Sequence, residues 1–158
     1  MSWKDTYKVW QERTDLEPDL KQELAAMSDD KEIEDAFYGP LSFGTAGMRG
    51  LMGPGINRMN VYTVRQATEG LATLMDSLGD DIKKRGVAIG YDSRHNSRKF
   101  AHDAARVLGA HGIKVYIYDN LRPTPELSFA VRHMGTYAGI MITASHNPKE
   151  YNGYKIYG

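Results

Sequence analysis

Thr143, Ala144, Ser145, His146, Asn147 and Pro148 stand together directly after an apolar run, so a hydroxyl, an imidazole and an amide share one short segment. Pro148 disfavours the α region for Asn147 and keeps the segment extended. A serine beside a histidine raises hydrolase chemistry. Adjacency in sequence does not place an imidazole on a hydroxyl, however, and no Gly-x-Ser-x-Gly elbow is present. The plain alternative is a loop in which Thr143 and Ser145 bond to nearby backbone. Two other segments join charge to glycine: Phe43-Gly44-Thr45-Ala46-Gly47-Met48-Arg49-Gly50 and Tyr151-Asn152-Gly153-Tyr154-Lys155. Taken alone, Lys155 reads as a solvated strand lysine. Arg94, in Tyr91-Asp92-Ser93-Arg94, suits a surface ion pair and a site equally well.

The elements that must position these residues follow from periodicity. Val87 to Tyr91 reads as a short apolar strand, followed by a helix carrying Phe100, Ala104, Val107 and Leu108 and a second strand from Ile113 to Tyr118. Thr124 and Pro125 open a further helix with Leu127, Ala130, Val131 and Met134 inward, and Ala138 to Ile142 is a third strand. Strand and helix alternating in this way predict an α/β fold with a mixed, largely parallel sheet flanked by helices. Ligands on such sheets sit at the carboxyl ends of the strands, where three polar loops fall: Asp92 to Asn96, Asp119 to Thr124 and Thr143 to Asn147. A last strand begins near Tyr154.

Upstream, Val64, Ala67, Leu71, Leu74, Met75 and Leu78 recur at helical spacing and predict a core-facing helix that Gly79 ends. The glycine-dense stretch from Leu41 to Asn60 predicts loops or turns. The first forty residues, with Trp3, Tyr7, Trp10, Leu16, Leu20 and Leu24 among charges, predict a helical amino-terminal extension over 1–40 with a boundary near Pro40. Asp29 and Glu32 resemble a capping box for a helix over about 30 to 38.

Composition narrows the classes. The chain has 158 residues with 41% apolar content, enough for one ordinary core. Lys plus Arg and Asp plus Glu both total 20, which leaves no field for a nucleic acid. The absence of cysteine removes thiolate chemistry and disulfides. No run approaches a membrane span and no secretory signal opens the chain, so a cytoplasmic protein without a membrane partner is expected. No glycine-rich nucleotide-binding motif lies between a strand and a helix.

The segment Thr143 to Pro148 resembles the active-serine signature of the α-D-phosphohexomutases, the family of the phosphoglucomutases and phosphomannomutases. Phe43 to Gly50 is similar to that family's first active-site loop, and Tyr151 to Lys155 matches the segment after its serine. The resemblance covers residues 41–158, implies the family's amino-terminal domain I, and is strongest toward the phosphoglucomutase and phosphopentomutase branch. It implies that Ser145 is a phosphoserine that hands its phosphoryl group to a sugar monophosphate, giving a bisphosphate that reorients and returns the other phosphate. The implied net reaction is the isomerisation of glucose 1-phosphate and glucose 6-phosphate. A phosphomannomutase, a phosphopentomutase and a non-catalytic phosphosugar-binding module are the alternatives.

The resemblance also assigns roles. Ser145, Lys155, Arg49 and His146 are the expected catalytic residues, with Lys155 as general acid or base. Thr45, Asn147, Arg94 and Asn152 are expected around substrate and phosphate. Mg²⁺ is expected on the Ser145 phosphoryl oxygen and on three aspartates of a following domain, and glucose 1,6-bisphosphate is the expected activating donor. The Asp-Gly-Asp-Gly-Asp loop that supplies those aspartates does not occur in this sequence. The expected partners are therefore the phosphosugar and the downstream domains, without which domain I is expected to be inactive.

Overall fold

In the computed structural model, residues 2–43, 47–92, 96–118, 135–143 and 151–157 are described. Short polar side chains start the helices. Ser2 and Asp5 form a capping box on α1 (Trp3–Glu12), which is followed by α2 (Pro18–Ala26) with proline in its first turn. Asp29 caps α3 (Asp30–Phe37) by accepting from the Lys31 N–H, one position short of the Glu32 N–H that a capping box uses. After β1 (Met48–Leu51), Asn60 and Thr63 cap α4 (Val61–Leu78) reciprocally. Then come α5 (Asp80–Arg85), β2 (Val87–Tyr91), α6 (Ser97–Ala110), β3 (Val115–Tyr118), β4 (Ala138–Ile142) and β5 (Tyr151–Tyr157).

The five strands form one sheet in the order β1-β5-β4-β2-β3. β4, β2 and β3 are parallel, while β5 runs antiparallel to both β4 and β1. Four strands therefore point one way, which is the mixed, largely parallel sheet the sequence predicts. Val87, Ile89, Ile140, Ile142 and Tyr154 on one sheet face pack with Val64 and Met75 of α4 and with Phe100, Ala104 and Leu108 of α6. Trp10, Leu24 and Phe37 of the first three helices join the same core. Trp10 meets both Phe37 and Tyr62 edge-on, with ring centroids 5.6 Å apart in each pair.

Several expectations shift. The glycine-dense stretch holds a strand, β1, because β5 supplies the hydrogen-bonding partner that its own composition does not advertise. Leu74 and Leu78 are 49% and 48% exposed rather than inward. The buried stripe of α4 runs through Val64, Thr68, Leu71, Ala72 and Met75, and Leu74 and Leu78 lie outside it. The strand expected from Ile113 starts at Val115, and the one expected near Tyr154 starts at Tyr151. The helix expected after Thr124 and the loop 119–124 lie outside the described residues. Among the described residues, no helix is long and apolar enough to cross a membrane.

Candidate active site

The sheet order brings the described parts of the three singled-out segments to neighbouring strands. β1 carries Met48 to Leu51, β5 carries Tyr151 to Lys155, and β4 ends next to Thr143. Arg49 is opposite Gly153 and Met48 opposite Tyr154, while Lys155 is opposite Met141 on the other side of β5. The Tyr154 hydroxyl lies 2.8 Å from the Thr68 hydroxyl of α4, so Tyr154 points to the helical side. Alternation along β5 then turns Gly153 and Lys155 to the opposite face. Arg49 shares that face, since a Cβ built on Gly153 would lie 3.9 Å from its Cβ. Two basic side chains are thus presented together on adjacent strands, Arg49 exposed and Lys155 half-buried.

Close backbone approach fixes this arrangement. Gly47 has φ +94°, and a Cβ there would fall 2.1 Å from the Tyr154 carbonyl oxygen and 2.9 Å from the Lys155 Cα. Only glycine fits, and it seats the chain leaving segment 44–46 directly against Lys155. Gly153 is equally tight: its missing Cβ would lie 2.8 Å from the Thr143 carbonyl oxygen, and its own carbonyl accepts from the Thr143 N–H at 3.0 Å.

Beneath this face lies a largely buried polar chain. Thr143 Oγ1 donates to one carboxylate oxygen of Asp92 at 2.5 Å, and Ser97 Oγ donates to the other at 2.8 Å. Asn152 Nδ2 donates to Ser97 Oγ at 3.0 Å, and Asn152 Oδ1 accepts from the Gly153 N–H at 2.8 Å. Ser97 and Asn152 are both 0% exposed. Asp92 follows β2 and Ser97 opens α6 just after Asn96, which holds the left-handed φ of 71°. Loop ends from β2 and β4, the start of β5 and the amino end of α6 therefore meet in one network.

Of the residues picked from the sequence, Arg49, Asn152 and Lys155 are thus brought to adjacent strands. Ser145, His146, Asn147, Thr45 and Arg94 lie outside the described residues. Among the described residues, no group of three or more histidine or acidic side chains is placed to hold a metal ion.

Residues 40–158 match the family model described as phosphoglucomutase/phosphomannomutase, alpha/beta/alpha domain I. The chain belongs to this family. A human phosphopentomutase is 41% identical over 152 residues, covering 92% of this chain and 25% of the relative. A Staphylococcus haemolyticus phosphoglucomutase is 50% identical over 125 residues, covering 79% of this chain and 22% of that protein. Among solved structures, a Thermus thermophilus protein provisionally assigned as a phosphomannomutase superposes with a TM-score of 0.64 at 32% identity, covering 75% of this chain and 26% of that one. The chain thus spans about a quarter of the length of the relatives it matches.

Within this family domain, the sequence reading places Asp92 in a loop on the ligand-binding edge without giving it a role, and does not name Ser97. The available signal for Ser97 is its position at a helix start directly after that loop.

Proposed function

We propose that the chain is the phosphoserine domain of a phosphosugar mutase that interconverts glucose 1-phosphate and glucose 6-phosphate. The observation that carries this reading is the placement of Arg49 and Lys155 on one face of adjacent strands, beside Thr143, just after β4 and two positions before Ser145 in sequence. Phosphoryl transfer needs in-line placement and cations near the equatorial oxygens, and this face offers both a fixed frame and charge.

In the first half-reaction, the bond from phosphorus to Ser145 Oγ breaks as a sugar hydroxyl forms a new bond to the same phosphorus. Lys155, in its neutral amine form, takes that hydroxyl's proton as general base, and Ser145 Oγ leaves with the electron pair of the broken bond, which it uses as nucleophile in the second half-reaction. After the bisphosphate turns over, Ser145 Oγ attacks the other phosphate and the sugar oxygen leaves with a proton from Lys155. Arg49 neutralises charge on the moving group, and His146, Thr45, Asn147 and Arg94 support it, whereas Asn152, expected around the phosphate, is wholly buried on the opposite face of β5 from Lys155 and acts only through its bonds to Ser97 and the Gly153 N–H. Mg²⁺ bound at the Ser145 phosphoryl group would offset its negative charge. The described residues offer no cage of their own for it, so its other ligands are assigned to a following domain, as is sugar selection. On this reading residues 41–158 are the family domain, 1–40 its helical extension, and the working enzyme the longer cytoplasmic polypeptide.

The test is the intact mass of the full-length protein after incubation with glucose 1,6-bisphosphate and magnesium, beside Ser145→Ala. A gain of about 80 Da, one phosphoryl group, that is absent from the variant supports the reading. No gain in the folded parent overturns it in favour of a non-catalytic phosphosugar-binding module. The human relative named phosphopentomutase supports a second substrate reading. Comparing turnover of ribose 1-phosphate with glucose 1-phosphate decides between the two.

A further inference from the structure

We propose that Asp92, acting with Ser97, is a positioning residue that holds both ends of the Ser145 segment in register for phosphoryl transfer; this rests on the function proposed above. In sequence, residues 144–150 lie between Thr143, just after β4, and Tyr151, the first residue of β5. The β4 end is tied to Asp92 through Thr143 Oγ1, at 2.5 Å. The β5 end is tied to the same carboxylate through Asn152 Nδ2 and Ser97 Oγ, at 3.0 Å and 2.8 Å. A direct bond from the Thr143 N–H to the Gly153 carbonyl, 3.0 Å long, closes the circuit. One carboxylate therefore fixes the spacing of the two strand ends that flank Ser145 in sequence.

The donors run in one direction. Asn152 Nδ2 has only hydrogens to give, so Ser97 Oγ accepts from it and spends its own hydrogen on Asp92 Oδ1. Thr143 spends its hydrogen on Oδ2, and the 2.5 Å separation is that of a charge-assisted bond. Only an acceptor on both oxygens satisfies the chain. Asp92→Asn would set an amide N–H₂ against a hydroxyl that already donates, and with Ser97 fully buried no water stands ready to repair the mismatch. Asp92 itself need not touch substrate. Its effect would pass through the strand ends, and small misplacements of reacting groups are expensive in rate.

The experiment uses the full-length protein and four variants: Asp92→Asn, Ser97→Ala, Thr143→Ala and Thr143→Ser. Circular dichroism and thermal midpoint establish that each is folded, peptide mass gives phosphoryl occupancy at Ser145, and steady-state kinetics separates kcat from KM. The expected result is a fall in kcat of roughly ten- to a hundred-fold for Asp92→Asn and Thr143→Ala, with KM within about twofold, and recovery in Thr143→Ser, which keeps the hydroxyl. If Asp92→Asn does not fold, the Thr143 pair and Ser97→Ala carry the test. Folded variants with parental kcat, or a Thr143→Ser no better than Thr143→Ala, overturn the positioning role while leaving the mutase reading intact. A parent that takes no phosphoryl group on Ser145 overturns both.

Discussion

The two ends of α6 hold polar clusters of opposite kind. At its amino end, Ser97 joins Asp92, Thr143 and Asn152 in a chain where the serine and the asparagine are wholly shielded from water. Just past its carboxyl end, His111 lies 2.5 Å from Asp76 and 2.7 Å from Glu69, and Lys83 completes the group 3.0 Å from Asp76. The side chains of this second cluster are 21% to 56% exposed. Water competes for every partner there, so each ion pair is weak and many arrangements are nearly equivalent. Around the buried serine and asparagine no such competition exists, and a donor that loses its acceptor finds no substitute. One end of the helix is built to hold a geometry, the other to tolerate solvent.

The largest expected effect lies in the backbone beside the buried end, where Gly47 packs on β5. Gly47→Ala would drive a Cβ to 2.1 Å from the Tyr154 carbonyl oxygen at a φ of +94°, and we expect a loss on the order of 2–4 kcal/mol in urea unfolding. By contrast Gly70→Ala, in α4 with nothing within 4 Å of the new Cβ, should stabilise by about 0.5–1 kcal/mol. Equal effects at the two sites would refute the close packing of β1 on β5. Next comes Asn152→Ala, which strands the Gly153 N–H and removes the donor to Ser97 while opening a small void. A loss of about 2–3 kcal/mol is expected by the same measurement.

Tyr154→Phe sharpens the comparison at one hydroxyl. Thr68 Oγ1 donates to the Val64 carbonyl at 2.8 Å, so the Tyr154 hydroxyl must be the donor in the 2.8 Å pair between the two side chains. Burial also pushes the Tyr154 phenol well above its ordinary value, against a smaller opposing effect of Thr68, so it stays a neutral donor. Its loss should cost about 1 kcal/mol. A double-mutant cycle with Thr68→Val should recover most of that as coupling, and additive losses would show that the hydroxyls do not interact.

How much of this the sequence disclosed follows the same division between local and distant causes. β2, β4 and α4 were legible because apolar periodicity and caps are local signals, and β4 matches Ala138 to Ile142 residue for residue. α5 was not, since Asp80 to Arg85 buries no residue and so shows no apolar face. β1 escaped because Gly47 and Gly50 look like turn residues until β5 is placed beside them. The strand expected near Tyr154 left out Asn152 and Gly153, and Asn152 was expected around the phosphate, for a related reason: an asparagine at the centre of a fold makes sense only once Ser97, 55 positions away in sequence, accepts its hydrogen. Arg49 and Lys155 could be nominated by motif, yet their shared face comes from strand pairing alone.

The smallest expected effect tests the solvent-tolerant end. Hydrogen bonding to Asp76, and then to Glu69, raises the pKa of His111 above its ordinary 6.5, and His111 followed by Lys83 lowers that of Asp76 below 3.8. Because the folded histidine holds its proton more tightly than the unfolded one, its contribution is complete below the ordinary value and fades as pH rises through the raised pKa. The Asp76 contribution is complete above its ordinary value and fades only as pH falls through the lowered one. His111→Gln should therefore melt below the parent at about pH 5 and approach it by about pH 9, a window set by the ordinary histidine range. High salt should narrow the gap at the acidic end, since these charges are screened. At the other end of α6 the donors Ser97, Thr143 and Asn152 carry no titrating group, and Ser97→Ala should shift the melting temperature by a similar amount at both pH values. A gap for His111→Gln that stays flat with pH, or one for Ser97→Ala that tracks it, would erase the distinction between the two ends.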